Sequence, residues 1–177
     1  MRQLRMPASA ISAAALIGFT TLAAAPSAHA YEQYTPYALS GTCSGLEEMQ
    51  YVVTDSNAIT SVTTYGDVPD GRISFKSTAK GCVVVTISSD VWVKDAFNQI
   101  LLEAVLDDAV VCPPPDNNFA SSNSDPNADY PETGDRTMTM LCSGVSPGRH
   151  SIQLKMKSGV AGQTVELGKR ILAVRHN

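Results

Sequence analysis

The chain has 177 residues, of which 44% are hydrophobic and 17% charged, and its formal net charge at pH 7 is −4. A net anion without a basic stripe has no electrostatic attraction for nucleic acid or for an anionic lipid surface. Composition and charge therefore exclude nucleic acid as a partner.

The first thirty residues have the three parts of a secretory signal peptide in the expected order. Arg2 and Arg5 precede a small-residue apolar run from Ala8 to Ala25, and Ala28-His29-Ala30 matches the A-x-A cleavage site. We therefore predict that residues 1–30 are a cleaved signal peptide. The protein is then exported by a Sec-type route and is extracellular or bound at the cell surface.

Cleavage would leave Tyr31–Asn177, 147 residues, which suits one domain with a sizeable core. The net charge would move from −4 to −6, because both leader arginines are lost. No later apolar run reaches membrane-spanning length, so we expect no membrane insertion after cleavage. A retained membrane anchor is the alternative, which Thr20 and Thr21 in the apolar run and Pro26 directly after it disfavour.

Cysteine usage predicts two disulfides and no zinc site. All four cysteines, Cys43, Cys82, Cys112 and Cys142, follow the predicted cleavage site. No pair has C-x-x-C spacing, and the histidines form no companion cluster. Three connectivities are open. We favour Cys112–Cys142, which would close the longest turn-rich loop, and Cys43–Cys82, which would tie the mature N-terminus to the sheet.

A period of two residues is the main structural signal. In Cys82–Ser89 it places Val83, Val85 and Ile87 on one face, as in a half-buried strand. Leu46–Thr54 and Ile100–Leu106 also allow short helices, but their β-branched residues and neighbours favour strands. Other strands are expected at Ile59–Tyr65, Arg72–Lys76, Thr164–Leu167 and Arg170–Arg175, with a breaker run at Gly66–Gly71.

The segment Arg136–Met156 reads as two strands joined by the turn Ser146-Pro147-Gly148. Ile152, Leu154 and Met156 alternate with polar residues, and Pro-Gly is turn chemistry, so a β-hairpin is predicted here. Many short strands with turns between them indicate an all-β antiparallel β-sandwich or jelly roll.

This fold divides the mature chain into an irregular N-terminal arm at 31–45 and a sandwich domain at 46–177. A Pro/Ser/Asn/Asp-rich loop at 113–135 interrupts the domain, and its length marks it as functional or mobile. Trp92, between Val91 and Val93, is expected to cap one end of the core.

Gly144–Gly148 matches the letters G-x-S-x-G of a hydrolase nucleophile elbow, with Ser146 at the serine position. Pro147 follows the serine and has no N–H for an oxyanion hole, and a strand follows where a helix is required. We therefore interpret the motif as a hairpin turn and predict that the protein is not an enzyme. His150 is expected to be hydrogen-bonded at the core margin, and the penultimate His176 to be frayed.

Asp125 to Asp129 begins like a calcium loop, but Tyr130 and Arg136 occupy the positions that need glycine and glutamate. We expect no metal or other cofactor. A looser calcium site remains an alternative, using the acidic residues Asp116, Asp125, Asp129 and Asp135.

The aromatic residues offer a second ligand chemistry. Trp92 and Tyr130, with the tyrosines at 31, 34 and 37, could stack against sugar rings, although Trp92 is expected in the core. The possible ligand loop thus comprises Asp116, Asp125, Asp129, Tyr130, Asp135 and Trp92.

From Gly71 to His176 the chain resembles small exported bacterial proteins that carry an uncharacterised β-sandwich domain. Two segments carry the resemblance, Gly81–Val85 and Leu141–Leu154, the second with the pattern V-x-P-G-x-H. The chain is also similar to jelly rolls of the C1q/TNF-like type. This resemblance implies a fold and an export route, and no catalytic residues.

We expect a secreted structural or protein-interaction module, with an unknown protein or glycan as partner. The first alternative is a carbohydrate-binding module that uses the loop at 113–135, and the second is an unrecognised hydrolase. Oligomerisation through an edge or face of the sandwich stays open.

Overall fold

The computed structural model describes Cys43 and residues 45–115, 117–122 and 132–177, with the backbone alone at Glu132. All of these belong to the unit Tyr37–Asn177. The predicted signal peptide lies outside them, as does nearly all of the predicted arm. The ten strands are β1 Glu48–Thr54, β2 Ala58–Thr60, β3 Gly66–Ser77, β4 Gly81–Val93, β5 Gln99–Leu106, β6 Val110–Val111, β7 Asn117–Ser121, β8 Glu132–Val145, β9 Gly148–Ser158 and β10 Val165–His176.

The strands form two antiparallel sheets of five strands each, which confirms the predicted β-sandwich. Sheet A has the order β1-β10-β4-β8 with β2 beside β10, and sheet B has the order β3-β9-β5-β6 with β7 beside β5. The main strands alternate between the sheets in the order of a jelly roll. No described segment is helical, so both short-helix alternatives are wrong, and none could cross a membrane as a helix.

The core lies between the two sheets and is built from the inward residues of each strand. Val83, Val85 and Ile87 on β4 are fully buried, and Ile152 and Leu154 on β9 face them from sheet B. The residues between them, Val84, Thr86 and Gln153, leave the opposite faces of the sheets, because successive side chains of a strand alternate. Period-two patterning therefore identified the inward faces of β4 and β9 correctly.

Both disulfides have the connectivity favoured from the sequence. Cys43 is bonded to Cys82, with 5.5 Å between their Cα atoms, and Cys112 is bonded to Cys142 at 4.7 Å. Cys112 follows β6 of sheet B and Cys142 lies in β8 of sheet A, so the second bridge joins the two sheets. Two disulfides indicate an oxidising environment.

The predicted hairpin at Arg136–Met156 is wrong. The chain does reverse at Ser146-Pro147, but β8 pairs with β4 in sheet A whereas β9 pairs with β3 and β5 in sheet B. The turn is therefore a crossover between sheets. Turn chemistry fixes where a chain reverses, and the burial of two apolar faces decides which sheet the returning strand joins.

Three further expectations need correction. The breaker run Gly66–Gly71 belongs to β3, whose pairing with β9 shifts register between Asp67 and Arg72. The loop 113–135 contains β7 and the start of β8. The two predicted closing strands are one strand, β10, with a register shift between Leu167 and Arg170.

The irregularity in β10 has a polar anchor. Arg170 is buried, and its guanidinium donates to the backbone oxygens of Ser56 at 2.6 Å and Pro69 at 2.5 Å. Burial lowers the pKa of Arg170, against the attraction of Asp70. The register shift changes which residues of β10 point inward. Before it the odd-numbered residues Val165 and Leu167 are buried, and after it the even-numbered residues Leu172 and Val174 are buried.

Candidate functional site

The outer face of sheet A is built from regularly aligned residues of four strands. Residues two apart on β1, β10, β4 and β8 point away from the core and align across the strands. Three such rows stand side by side: Met49–Arg175–Val84–Leu141, Tyr51–Ala173–Thr86–Thr139 and Val53–Ile171–Ser88–Thr137. Arg175 is the only charged residue among these twelve.

The half of this face on β1 and β10 is apolar apart from Arg175, and we call it the apolar half. Tyr51 is 64% exposed and Ile171 45% exposed, and Met49 and Val53 stand beside them. All four lie in solvent although the alternate residues of the same strands are buried or half-buried. Exposed aromatic and aliphatic side chains grouped in this way mark an interaction surface rather than scattered exposure.

The half on β4 and β8 is lined mainly by hydroxyl groups. The hydroxyls of Ser88 and Thr137 lie 2.8 Å apart, and those of Thr86 and Thr139 lie 3.3 Å apart. These pairs satisfy one another across the strands, and none of the four side chains carries a charge. The sequence does not predict this face, because no local pattern shows which strands are neighbours.

Trp92 lies on this same face at its far end, and the expectation that it caps the core is wrong. Its side chain is 46% exposed, whereas Val91 and Val93 are buried. It is aligned with Glu166 on β10 and Thr133 on β8. The alternation along β4 predicts this position. The odd-numbered residues Val83, Val85 and Ile87 point inward, so the even-numbered Trp92 points outward.

A cleft of about 260 Å³ opens at Trp92 and is lined also by Lys94, Thr164 and Glu166. The side-chain amide of Asn57 donates a hydrogen bond to Glu166 Oε1, which orients that carboxylate. The cleft thus combines an aromatic face with an acceptor, a cationic donor and a hydroxyl group. We call it the Trp92 cleft.

Asp135, an expected calcium ligand, is aligned with Asp90 on β4. A hydrogen bond between the two carboxyl groups raises the pKa of Asp90, while burial and repulsion by Asp135 act in the same direction and Lys169 opposes them. Among the described residues, no group of three or more His, Cys, Asp or Glu could hold a metal ion. Asp116, Asp125, Asp129 and Tyr130 lie outside the described residues.

The G-x-S-x-G segment forms the crossover turn between β8 and β9, so its context is strand–turn–strand. The Nε2 atom of His150 lies 2.8 Å from the backbone oxygen of Ser146, and Nδ1 lies 2.7 Å from Asp107 Oδ2. His150 therefore binds the main chain of the turn. The expected position of His150 at the core margin is confirmed, because its ring contacts Phe75 with 5.6 Å between centroids.

These contacts favour the charged imidazolium, because both ring nitrogens face acceptors. The hydrogen bond to Asp107 raises the pKa of His150, against the effect of burial, and the Ser146 carbonyl adds to the rise. Burial pushes the pKa of Asp107 upward, but hydrogen bonds from His150 and from the N–H of Ser151 hold it below its ordinary value.

The expectation that His176 is frayed is wrong. Its side chain is 0% exposed and packs on Phe75 with 4.7 Å between ring centroids, and Nε2 lies 3.9 Å from Glu48 Oε2. The next residue, Asn177, accepts a hydrogen bond from the N–H of Thr78 at 2.9 Å through its backbone oxygen. The end of β10 is therefore fixed against β3 and the turn that follows it.

No protein-family model and no curated protein matches this chain. Among solved structures, the chain is similar to the crystal structure of dimeric latent PorU from Porphyromonas gingivalis, with a TM-score of 0.36 and 8% sequence identity. The match covers 78% of this chain and 14% of that chain. A likeness at this level carries no inference about function, and the resemblance to exported bacterial β-sandwich proteins stays a prediction.

Proposed function

We propose that this protein is an exported, non-catalytic β-sandwich that acts as a protein-interaction module through the apolar half of the outer face of sheet A. The observation that supports this is the grouping of Met49, Tyr51, Val53 and Ile171 in solvent on adjacent strands. Burying such side chains against a partner is favourable, at about 25 cal/mol per Å² of apolar surface.

The size of the face indicates a transient complex. Strand spacings of about 4.8 Å and residue spacings of about 3.3 Å give the twelve-residue grid a footprint of roughly 400 Å² once the side chains are included. A matching partner surface would make an interface of roughly 800 Å² in total, below the size of most stable complexes. We therefore expect reversible binding.

Charge defines the partner further. Arg175 is the single charged residue in the grid and is exposed beside Met49. The chain as a whole has a net charge of −4, so an acidic partner would be repelled everywhere except near this arginine. We infer a partner with a flat apolar patch and one carboxylate placed opposite Arg175.

Export is part of the proposal. It is supported by the order of basic, apolar and A-x-A segments within residues 1–30 and by the two disulfides in the folded domain. The predicted lectin-like use of the loop 113–135 rests mostly on residues outside the described part of the chain. Of its aromatic residues, Trp92 is the one that the structure places on an open surface.

Site-specific photocross-linking tests the interaction face. A benzoyl-phenylalanine at position 51 should give a discrete adduct in the native extracellular medium, and one at Ser74, an exposed position on the outer side of sheet B, should not. Excess wild-type protein should compete the adduct away, and Ile171→Lys should fail to compete.

Equal cross-linking from positions 51 and 74 would contradict the proposal, as would equal competition by wild type and Ile171→Lys. An adduct with twice the mass of the chain would contradict a foreign partner and assign the face to self-association. An unchanged melting temperature for Ile171→Lys is the control that separates lost binding from lost folding.

A further inference from the structure

We propose that the Trp92 cleft is a binding site for one neutral pyranose ring, such as a terminal or internal sugar of an extracellular glycan. The inference does not rest on the proposed function, because Trp92 lies outside the twelve-residue grid, four residues along β4 from the nearest row at Ser88, about 13 Å away.

The aromatic surface is the first requirement that the cleft meets. Trp92 is the only tryptophan of the chain, and nearly half of its side chain lies in solvent on a strand whose neighbouring residues are buried. An exposed indole does not gain the favourable free energy of burial, which is large because aromatic residues bury 150–250 Å² each when they are in a core. A ligand with an apolar face would recover that energy by stacking on the ring.

The polar groups around the indole are the second requirement. Glu166 offers a carboxylate oriented by Asn57, Lys94 offers an ammonium group, and Thr164 offers a hydroxyl group. Hydroxyl groups at the rim of a sugar ring both donate and accept, and they form their strongest hydrogen bonds with charged groups. Such a mixture serves a polyol better than it serves a purely donating or purely accepting ligand.

Charge selects a neutral ligand over an ionic one. A cationic ligand is attracted by Glu166 but repelled by Lys94, and an anionic ligand meets the reverse, so the paired opposite charges cancel much of the net attraction for any ion. An arginine or lysine side chain of a partner could stack on Trp92, but the ammonium of Lys94 opposes it. A neutral sugar meets neither penalty.

The volume limits the ligand to a single ring. The cleft measures about 260 Å³, somewhat below the range of 300–1,000 Å³ that is usual for pockets of drug-sized ligands. A longer glycan would therefore contact the cleft through one residue and extend along the surface. We expect millimolar affinity for a monosaccharide, because few contacts are made.

The fluorescence of Trp92 provides a direct test, because no other tryptophan contributes. Titration of the purified protein should give a saturable change with at least one neutral pyranoside among methyl β-glucopyranoside, methyl β-galactopyranoside and N-acetylglucosamine. Glucosamine and glucuronate, which carry one charge each on the same ring, should bind about tenfold more weakly or not at all.

Three variants complete the test. Glu166→Gln should weaken binding of the neutral sugar about tenfold, and Trp92→Ala should abolish it, as read by saturation-transfer NMR. Tyr51→Ala, in the middle row of the grid on β1, should leave sugar binding unchanged, so failure here and failure of the proposed function are distinguishable.

The inference is overturned if none of the neutral probes gives a saturable signal at 50 mM. It is equally overturned if the charged sugars bind as tightly as the neutral ones, or if Glu166→Gln binds like wild type while folded.

Discussion

The outer face of sheet B carries several charged side chains, whereas the twelve-residue grid on the outer face of sheet A carries one. On sheet B the outward residues of β3 and β9 include Arg72, Lys76, Arg149, Lys155 and Lys157. On sheet A the corresponding grid of twelve residues has the single charge of Arg175. Since both sheets cover the same core, the fold itself does not require this difference.

The charged face of sheet B is largely occupied with its own partners. Arg72 forms an ion pair with Asp108 and donates to Gln153 Oε1 at 3.1 Å, and Lys155 Nζ lies 3.6 Å from Asp67 Oδ1. Such exposed pairs contribute little to stability, about 0–1 kcal/mol each, but they keep the surface hydrated. The twelve-residue grid of sheet A has one charged side chain, and this difference supports the proposed recognition role of that face.

The largest expected difference in folding stability is between a charge placed on the inner side of β10 and a charge placed on its outer side. Leu172→Lys places an unpaired charge at a position that is 1% exposed and should lower the free energy of unfolding by more than about 4 kcal/mol, which prevents folding. Ile171→Lys, one residue earlier on the outer side, should change it by less than about 0.5 kcal/mol.

Circular dichroism and urea titration of the two variants measure this. Similar losses in both would mean that the outer side of β10 is covered within the folded chain, and the apolar half would then not be a free surface.

The second largest change in stability is expected from removal of the disulfide that joins the two sheets. Replacing Cys112 and Cys142 by serine opens a loop with a sequence separation of 30 residues. The chain-entropy model gives a loss of about 3 to 4 kcal/mol in the free energy of unfolding. Urea denaturation under non-reducing conditions measures the loss, with the Cys43→Ser/Cys82→Ser variant for comparison. A loss below about 1 kcal/mol would show that core packing alone holds the two faces in place.

The smallest expected change in stability comes from the ion pair of His150 and Asp107, at the end of β9 that follows the crossover turn. The raised pKa of His150 means that its contribution is complete below its unfolded pKa of about 6.5 and is lost as pH rises through the higher folded value. The lowered pKa of Asp107 means that its contribution is present above about 3.9 and is lost as pH falls through the lower folded value.

Wild type should therefore exceed His150→Gln in stability by about 1 kcal/mol between roughly pH 4 and 6.5, and by less above that range. The difference is modest because the side chain of Asp107 is 46% exposed, and solvent screens the pair. Urea titration of both proteins at several pH values measures it. A difference that grows with rising pH would contradict the imidazolium assignment.

The sequence alone predicts the position of a strand and its inward face where the strand is regular and only one of its faces packs against the core. Val83, Val85 and Ile87 are an example, because alternation is a local property. Cysteine number and loop lengths were also enough to favour the observed disulfide pairs. The turn at Pro147 was located correctly, but the sheet that β9 joins depends on long-range burial, which no local pattern contains.

The errors about the candidate site have the same origin. The valine neighbours of Trp92 predict a position in the core, whereas the alternation of side chains along β4 places it on the outer face. His176 was expected to fray because it is penultimate, yet the register shift before Arg170 sets the parity that buries it. The apolar half could not be predicted, because Tyr51 and Ile171 become neighbours only when β1 pairs with β10.

Hydroxyl-radical footprinting tests the central claim most directly, because two aromatic residues have nearly equal exposure. Tyr51 is 64% exposed on the outer face of sheet A, and Phe97 is 63% exposed in the turn between β4 and β5. In the purified protein both should be oxidised readily. In the native extracellular medium we predict that Tyr51 becomes protected while Phe97 does not, and equal oxidation of both in that medium would contradict the recognition role of this face.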